Sequence, residues 1–299
     1  MRFDVSVVMA VKNESRYIVI AINSILDQSG LACELIVVDD HSDDGTFELV
    51  AHRFRTWIGA NTLKLLRNPG RGKVAAFNYG VAQAKGQFVC LFAGDDLMPV
   101  DSLAARYRAV EQAPSERPVV GLCKVLTMSE DKRSDGILIP RAPGRGAFSG
   151  QCYLMNRAAV ARLFPVPEDL PNEDTWLELA LSYLPEIQLI HSGVVGCQWR
   201  VHDHNSMNYR VPFEEFNRRY TTRMKAIPTF LSMYATQMSE SNLRVVTALA
   251  RCELARASGS MIGVLTSGAP PVPTLRALAH TNQVMYELRR RLYALLSGW

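Results

Sequence analysis

The sequence has few of the features that mark secreted, membrane-embedded or zinc-binding proteins. Its six cysteines include no C-x-x-C pair, and most lie in apolar stretches. This indicates reduced core residues in a cytosolic protein, and neither a disulfide framework nor a zinc site. The N-terminal apolar run is short and is interrupted by Asp4, so no signal peptide is predicted. No apolar stretch is long enough to span a bilayer, and there is no internal repeat or low-complexity tract.

The formal net charge of +4 over 299 residues is too small to indicate nucleic-acid binding. The charge is unevenly distributed. Residues 206–299 contain twelve basic and five acidic residues, whereas the rest of the chain contains 21 basic and 24 acidic residues. With 48% hydrophobic residues, the chain can bury one large core or two modest ones. We therefore predict two regions with different roles.

Strand and helix patterns alternate along the first hundred residues. The apolar, largely β-branched runs predict strands at 5–11, 33–40, 63–68 and 87–94. Apolar residues at helical spacing predict helices over 16–28, 46–55 and 74–85. This alternation is typical of a doubly wound, mostly parallel α/β sheet with helices on both faces. In such sheets ligands bind beyond the carboxyl ends of the strands.

Adjacent aspartates end two of the predicted strands, Asp39 with Asp40 and Asp95 with Asp96. Repulsion and desolvation oppose such pairs at the end of a buried strand unless something positive lies there. For Asp95 and Asp96, a divalent metal, or a ligand that brings one, is the candidate. The alternatives are a solvated turn at residues 95–96 and a helix N-cap cluster at residues 39–40.

Several motifs follow one another in the order and approximate spacing of one enzyme family. The first part of the chain contains VSVVMAVKNES, ELIVVDDHSDDGT, NPGRGKVAAFNYG and GQFVCLFAGDD, and later segments are GAFSGQCYLMNRAAVARLF (146–164), PNEDTWLELAL (171–181) and CQWRVHDHNSM (197–207). Over about 205 residues the chain resembles the inverting, nucleotide-sugar-dependent glycosyltransferases of family 2, which have the GT-A fold. The resemblance implies a GT-A catalytic domain over 1–207, divided into a nucleotide-binding half (1–100) and an acceptor-binding half (101–207).

The resemblance implies that the acidic pairs bind the sugar donor, for which a UDP-sugar is the first expectation. The glycine turn at residues 70–73 precedes a helix, where backbone N–H groups can approach a phosphate, and either Lys73 or Arg71 is expected to touch the nucleotide. Asp95 and Asp96 would hold Mg²⁺ or Mn²⁺ against the diphosphate, where the metal acts as a Lewis acid. Asp40, in preference to Asp39, would bind the base or ribose. Ala93 stands where the family often has the first aspartate of Asp-x-Asp-Asp, which commonly contacts the ribose. The implied donor contacts are Val11, Asn13, Glu14, Asp39, Asp40, Gly72, Lys73, Asn78, Ala93, Asp95 and Arg200.

The later motifs imply the acceptor side. Asp174 would be the general base that takes the proton of the acceptor hydroxyl, and Glu173 would orient the acceptor or the base. The alternative is an acidic first turn of a helix, which the helix dipole favours. His202 would complete the ligands of the metal as a neutral imidazole, with His204 as the alternative. Arg200 would meet the diphosphate.

Two further features near these motifs leave alternatives open. Trp176 and Trp199 either stack on a sugar ring or pack in the core. Residues 140–150, rich in proline, glycine and arginine, form either a mobile loop that closes over donor and acceptor or an ordinary surface loop. His41, His52 and His191 are interpreted as structural.

Helical spacing dominates residues 208–299, which lie outside the resemblance and are predicted to form a helical C-terminal region. The predicted helices cover about 213–238, 240–258 and 273–297. The last one carries a short heptad seam between Leu278 and Leu295, compatible with a homo-oligomer, although packing on the catalytic domain is preferred. Its end, RRRLYALLSGW, could lie on an anionic membrane surface, where lipid-linked acceptors would be found.

We therefore predict a metal-dependent inverting glycosyltransferase, cytoplasmic or at the inner face of the cell membrane. It would transfer a sugar from a nucleoside-diphosphate donor to a hydroxyl of a glycan, lipid-linked or protein acceptor, in bacterial surface polysaccharide synthesis. The alternative is a non-catalytic nucleotide-sugar binding or scaffold protein, suggested by Ala93. The retained Asp95, Asp96 and Asp174 favour the enzyme. A dehydrogenase is excluded because no G-x-G-x-x-G follows the first strand.

Overall fold

A computed structural model of the chain describes residues 3–129, 135–202 and 211–296. In these parts of the chain, eight strands form one mixed, mostly parallel sheet, which confirms the predicted α/β class. The strands are β1 (Val5–Val11), β2 (Cys33–Asp39), β3 (Leu63–Arg67), β4 (Phe88–Ala93), β5 (Val119–Ser129), β6 (Leu138–Ile139), β7 (Tyr153–Asn156) and β8 (Gln188–Val201).

The strand order is β3-β2-β1-β4-β7-β5-β6, and β8 pairs with β5. Strands β1 to β4 are parallel to one another, β7 is antiparallel to both of its neighbours, and β8 is parallel to β5. Asp39 is the register partner of Val11, and Ala93 is the register partner of Ala10. The carboxyl ends of β1, β2 and β4 therefore meet at one edge of the sheet, as the acidic pairs require.

Seven helices in the described chain begin before β8. They are α1 (Ile18–Leu26), α2 (Thr46–Arg53), α3 (Arg55–Gly59), α4 (Lys73–Gln83), α5 (Ser102–Val110), α6 (Arg157–Leu163) and α7 (Asp174–Tyr183), with a short 3₁₀ turn at Gly150–Cys152. The bounds of the strands and helices predicted in the first hundred residues differ from the observed ones by two residues or fewer. The agreement reflects strong periodicity: α1 buries Ile18, Ala21, Ile22 and Ile25 against the strand core.

The chain divides into two compact units. The first comprises the described residues up to Asp174 together with Glu186–His202, and the second comprises Thr175–Pro185 together with the described residues after His202. The helix α7 therefore starts in the first unit and continues in the second. The predicted boundary between residues 207 and 208 lies outside the described residues.

The second unit contains the predicted helical C-terminal region. Its further helices are α8 (Phe213–Met224), α9 (Ala226–Tyr234), α10 (Glu240–Ala257), α11 (Met261–Leu265), α12 (Pro271–Leu278) and α13 (Gln283–Leu296). No helix in the described parts of the chain is both long and apolar enough to cross a lipid bilayer.

Two of the predicted C-terminal helices are wrong as single helices. The one predicted over 213–238 is interrupted at Lys225. The one predicted over 273–297 is interrupted between Leu278 and Gln283, because the Asn282 side chain accepts a hydrogen bond from the backbone N–H of Met285 (3.0 Å) and starts a new helix. The proposed heptad seam is therefore divided between α12 and α13 and is not one continuous stripe.

Candidate active site

The loop after β1 is joined to the loop after β2 by backbone hydrogen bonds to side chains. The Asn13 backbone N–H donates to Ser42 Oγ (2.9 Å), and the Ser15 backbone N–H donates to Asp44 Oδ2 (2.9 Å). In the other direction, Asn13 Oδ1 accepts from the Asp43 backbone N–H (3.0 Å). The Asn13 side chain thus holds this edge together, and its predicted contact with a donor stays a prediction.

Asp39 lies at the carboxyl end of β2 and is fully buried. One carboxylate oxygen, Oδ2, accepts hydrogen bonds from Arg67 Nη1 (2.9 Å) and from the Ser42 backbone N–H (3.2 Å). The other oxygen, Oδ1, is buried and has no hydrogen-bond partner among the described residues. A buried carboxylate oxygen without a donor is costly, so this atom is suited to accept an N–H or O–H from a ligand.

Both carboxylate oxygens of Asp40 interact with nearby groups of the protein. Its Oδ1 accepts hydrogen bonds from Asn68 Nδ2 (2.8 Å) and the Gly72 backbone N–H (2.9 Å), and its Oδ2 lies 3.8 Å from Lys12 Nζ. Asp40 therefore shapes the glycine turn, in which Gly72 has φ +93°, a conformation that L side chains rarely adopt. The sequence favoured Asp40 for the nucleotide contact, whereas the hydrogen bonds favour Asp39.

Asn78 has a structural contact that the sequence did not predict. Its Nδ2 donates to the Val166 carbonyl (2.8 Å), and its Oδ1 accepts from the Val166 backbone N–H (2.9 Å). This pair of hydrogen bonds ties α4 to the segment after α6. A direct contact between Asn78 and the donor stays a prediction.

Asp95 and His202 form the most direct candidate for a cation site. Asp95 Oδ2 lies 2.9 Å from His202 Nε2, and the Asp95 side chain is 14% exposed. The guanidinium of Arg200 lies 4.4 Å from the centre of the Tyr17 ring, and its Nε donates to the Asp95 carbonyl (2.8 Å). His202 stacks on the same tyrosine ring. The ring of Tyr17, which sequence reasoning missed, therefore orients both basic groups beside Asp95.

Asp96 is fully buried and makes hydrogen bonds through both carboxylate oxygens. Oδ1 accepts from the Arg200 backbone N–H (2.8 Å), and Oδ2 accepts from Gln151 Nε2 (2.9 Å). Burial, and then the charge of Asp95, raise the pKa of Asp96 to about 7. Burial and the charges of Asp95, Asp96 and Asp44 likewise raise the pKa of Glu14 to about 8. Several carboxyl groups thus converge where negative charge is unfavourable, which is the electrostatic condition for binding a cation.

Glu173 and Asp174 lie together at the start of α7. Gly150 donates its backbone N–H to Asp174 Oδ1 (3.0 Å). Glu173 is 1% exposed, and its Oε1 lies 3.0 Å from Lys73 Nζ. Burial raises the pKa of Glu173 to about 7 although the charge of Lys73 lowers it. Its Oε2 is buried without a hydrogen-bond partner among the described residues.

Two consecutive residues of the 3₁₀ turn connect the two acidic pairs. Gly150 contacts Asp174, and Gln151 contacts Asp96. A second connection runs from the glycine turn to the acidic pair at the start of α7, through the ion pair of Lys73 with Glu173. The structure therefore brings together the residues that the sequence assigned to donor, metal and base. Gln151 lies in a motif that the sequence revealed. Its partner Asp96 is 55 residues away in the sequence, and no local pattern predicts their hydrogen bond.

The residues with open alternatives are placed as follows. Trp176 is 1% exposed and packs against Phe230 and Tyr234, so it is a core residue. Trp199 is half-buried and packs against the strand core. The loop at 140–150 is exposed at residues 141–145 and anchored beside them: Lys124 Nζ donates to the Pro140 (2.6 Å) and Ala142 (2.7 Å) carbonyls.

At the end of the same loop, His191 has the structural role expected from the sequence. Its Nδ1 accepts a hydrogen bond from the Gly146 backbone N–H (3.1 Å). Burial, and then the charge of Arg145, lower the pKa of His191, so the neutral ring that accepts this bond is favoured. His204, the alternative metal ligand, lies outside the described residues.

A comparison with protein families identifies the segment that carries the acidic pairs. Residues 6–133 match the profile described as glycosyl transferase family 2. This segment belongs to glycosyl transferase family 2. The family 2 segment contains Asp39, Asp40, Lys73, Asp95 and Asp96 and ends before Glu173, so the assignment of the base rests on the geometry above.

Two named bacterial proteins are similar to this chain over parts of their length. The succinoglycan biosynthesis protein ExoO of Rhizobium meliloti is 34% identical over 131 residues, which is 44% of this chain and 36% of ExoO. The glycosyltransferase GlyG of Streptococcus pneumoniae is 28% identical over 113 residues, which is 38% of this chain and 36% of GlyG. The matches thus cover little more than a third of each relative.

Solved structures with the GT-A fold are similar to this chain over nearly its whole length. S. aureus TarS, residues 1–349, in complex with UDP-GlcNAc, has a TM-score of 0.60 and 19% identity, and covers 99% of this chain and 86% of that one. The mannosyltransferase PcManGT from Pyrobaculum calidifontis, in complex with GDP-Man and Mn²⁺, has a TM-score of 0.54 and 18% identity, and covers 100% of this chain and 89% of that one. At this identity the likeness concerns the fold alone.

Proposed function

We propose that the chain is a metal-dependent inverting glycosyltransferase that takes a sugar from a nucleoside-diphosphate donor. The observation that carries the proposal is the turn at residues 150–151, because it joins the carboxylate of Asp174 to that of Asp96. The two acidic pairs, at residues 95–96 and 173–174, lie on separate segments around one site. This suits a reaction in which one pair supplies a base and the other holds a cation that neutralises the leaving group. The family 2 segment supports the same chemistry.

Asp95 and His202 fit a divalent cation of the kind the proposal requires. A carboxylate oxygen and an imidazole nitrogen 2.9 Å apart can share one ion when the imidazole is neutral. Among the described residues, no group of three or more His, Cys, Asp or Glu side chains is arranged to hold a metal by itself. Mg²⁺ and Mn²⁺ with a bound diphosphate need only one or two carboxylates, so this donor set suits a cation that enters with the nucleotide. When bound, the cation would neutralise the departing diphosphate as a Lewis acid.

Asp96 supports this site and need not be a direct ligand. Its two hydrogen bonds, from Arg200 and Gln151, hold it in place behind Asp95. Arg200 donates its backbone N–H to Asp96 and keeps its guanidinium beside Asp95, where it can meet phosphate oxygens. The metal contacts predicted for Asp95, Asp96 and His202 remain part of the proposal.

Asp174 is proposed as the general base. Its Oδ1 is held by the Gly150 backbone N–H, which orients the carboxylate towards an acceptor hydroxyl. Attack from the face opposite the diphosphate inverts the anomeric carbon. Glu173, held by Lys73, would position the base or bind the acceptor through its unpartnered Oε2. At the other end, Asp39 Oδ1 would accept an N–H from the base of the nucleotide.

The acceptor is proposed to be a glycan, lipid-linked or protein hydroxyl in surface polysaccharide synthesis. The name of the relative ExoO, a succinoglycan biosynthesis protein, supports polysaccharide synthesis. The ligands named for TarS and PcManGT support a nucleoside-diphosphate sugar as donor. Placement of the reaction in the cytoplasm, at the inner face of the membrane, belongs to the same proposal.

The test is a screen of nucleoside-diphosphate sugars with Mg²⁺ or Mn²⁺, scoring both binding and slow hydrolysis of the donor. The proposal expects binding and turnover with at least one donor, both abolished by EDTA, and a product of inverted anomeric configuration by NMR. Binding without turnover across all plausible acceptors would favour the scaffold alternative raised by Ala93. Retention of the donor's anomeric configuration would refute the role of Asp174 as a base for direct displacement.

A further inference from the structure

Two aromatic side chains are exposed among the described residues of the first unit, Trp57 (41%) and Phe148 (39%). Trp57 lies on α3, which carries none of the residues named above for the candidate active site. Phe148 lies two residues before Gly150, whose backbone N–H donates to Asp174 Oδ1 (3.0 Å). A single exposed apolar side chain needs no explanation by itself, but an exposed ring beside the proposed base does.

The segment that carries Phe148 is fixed to the neighbouring strands. The Gly146 backbone N–H donates to His191 Nδ1 on β8 (3.1 Å). A Cβ added to Gly146 would lie 2.5 Å from the carbonyl oxygen of Leu122, so the backbone here lies directly on β5. The Phe148 ring meets the His191 ring edge to face, with the ring centres 6.4 Å apart. The exposed ring is therefore already held in place, which lowers the entropic cost of binding a ligand on it.

The backbone directs the Phe148 side chain to the side of the catalytic carboxylates. Ser149 is extended (φ −149°, ψ 148°), and in an extended segment side chains two residues apart lie on the same side. The Cβ direction of Gly150 leads to Asp174 Oδ1 (2.7 Å) and Glu173 Oε1 (2.8 Å). Phe148 therefore faces the same side, at most about 7 Å further along the chain, a separation comparable to one sugar residue.

The order of contacts along this segment places Phe148 on the acceptor side. Gln151 contacts Asp96 beside the proposed metal site, Gly150 contacts the proposed base, and Phe148 precedes both. In an inverting transfer the acceptor lies on the side of the base, and the diphosphate lies on the side of the cation. Phe148 is thus separated from the diphosphate by the base.

The chemistry of an aromatic ring at this position favours one class of acceptor. Binding sites for small molecules combine aromatic walls with a few polar groups that fix orientation, here Phe148 and Asp174. A sugar ring has a face of C–H groups that packs on an aromatic ring while its hydroxyls point outwards. The hydroxyl of a peptide side chain and the phosphate of a prenyl carrier bring no such ring next to the reacting oxygen.

We propose that Phe148 is the stacking platform for the acceptor, and that the acceptor is a saccharide whose terminal ring covers it. Phe148 orients this ring so that one hydroxyl meets Asp174, and His191 supports the platform from its edge. The inference rests on the proposed function, because it names the acceptor of that reaction.

The first test measures sugar binding without turnover. Saturation-transfer NMR is recorded for the methyl glycosides of glucose, galactose, mannose and N-acetylglucosamine, with and without UDP or GDP and Mn²⁺. At least one glycoside is expected to bind wild type, with its ring C–H protons closest to the protein. Phe148→Ala should weaken this binding about tenfold, because it removes the apolar area that the sugar covers.

Three further variants separate an aromatic platform from a merely structural residue. Phe148→Trp keeps an aromatic face and should bind like wild type, whereas Phe148→Leu keeps apolar volume alone and should behave like Phe148→Ala. The matched control, Trp57→Ala, removes the other exposed ring of the described first unit and should leave binding unchanged. With a donor that wild type hydrolyses, Phe148→Ala should raise the KM for the glycoside about tenfold and leave donor hydrolysis unchanged.

Equal glycoside binding by wild type and Phe148→Ala, with both folded by circular dichroism, would overturn the inference. So would a wild type that binds none of the glycosides, or full recovery of binding by Phe148→Leu. Glycoside binding that depends on Phe148, together with no turnover of any donor, would instead contradict the proposed function. The two claims therefore fail separately.

Discussion

Gly150 lies so close to the carboxylates of Asp174 and Glu173 that Gly150→Ala should strongly lower catalytic turnover. Gly150 is buried, and a Cβ added to it would lie 2.7 Å from Asp174 Oδ1 and 2.8 Å from Glu173 Oε1. Ordinary contact begins at 3.4 Å, so at least one group must retreat by about 0.7 Å, and Glu173 is held in place by Lys73. The substitution therefore displaces the proposed base, Asp174, without removing any carboxylate.

The expected result is a fall in kcat of about a hundredfold with little change in the affinity for the donor. Misplacement of a reacting group by about 1 Å can cost about a hundredfold in rate, and the proposed donor contacts lie outside this turn. Overpacking should also lower the free energy of unfolding by about 1–3 kcal/mol. Turnover with excess Mn²⁺, calorimetric titration of the donor and thermal unfolding measure the three quantities separately.

The matched control is Gly193→Ala, because a Cβ at this position meets no atom within 4 Å and its φ is not positive. This variant should keep wild-type kcat and stability. If Gly150→Ala remained folded and turned over within about threefold of wild type, the two carboxylates would not perform the chemistry. Loss of donor binding together with turnover would show that the turn belongs to the nucleotide site.

Three further predictions test the charges of the first unit. Lys73→Met removes the cation facing Glu173, so the pKa of Glu173 should rise further above about 7; an NMR titration of the Glu173 carboxyl that showed no rise would contradict this assignment. Burial raises the pKa of Glu34, but hydrogen bonds from Lys64 and other donors outweigh it and lower the pKa below 4.5. Its stabilising contribution is therefore present above the ordinary value and lost as pH falls, so the deficit in Tm of Glu34→Gln should shrink between pH 7 and acidic pH, and a constant deficit would refute this. Asp95→Asn should remove the effect of EDTA on nucleotide binding, and calorimetry that still shows metal-dependent affinity would exclude Asp95 as a ligand.

The sequence predicted the first four strands because each is a continuous apolar run between polar turns. It could not predict that β7 inserts antiparallel between β4 and β5, since that pairing depends on contacts far apart in the chain. The last C-terminal helix was predicted too long because Asn282 ends one apolar pattern and starts the next without a proline or glycine. Local signals do not reveal such a cap within an otherwise helical pattern.

The acidic residues of the candidate site could be identified from the sequence, whereas the residues that hold them in place could not. The pairs at residues 95–96 and 173–174 are local motifs. Gly150 and Gln151 lie in a segment that carries the resemblance, but their partners are distant in the sequence and were not predicted. Nothing in the sequence around Tyr17 indicates its contact with His202. The choice between Asp39 and Asp40 as the proposed nucleotide contact likewise depends on which carboxylate already accepts hydrogen bonds from the protein. Only the structure shows that Asp40 Oδ1 does so and that Asp39 Oδ1 does not.

The central claim is that donor binding and proton removal are performed by separate groups, and Asp174→Asn tests it most directly. Asparagine keeps the shape and can still accept the Gly150 hydrogen bond, but it cannot take a proton. The variant should bind a nucleoside-diphosphate sugar with Mn²⁺ as well as wild type and transfer it at least about a hundredfold more slowly, because loss of a general base costs about a hundred- to ten-thousandfold. A fall of only a few-fold would make Asp174 a structural residue of the helix start and would contradict the proposed mechanism.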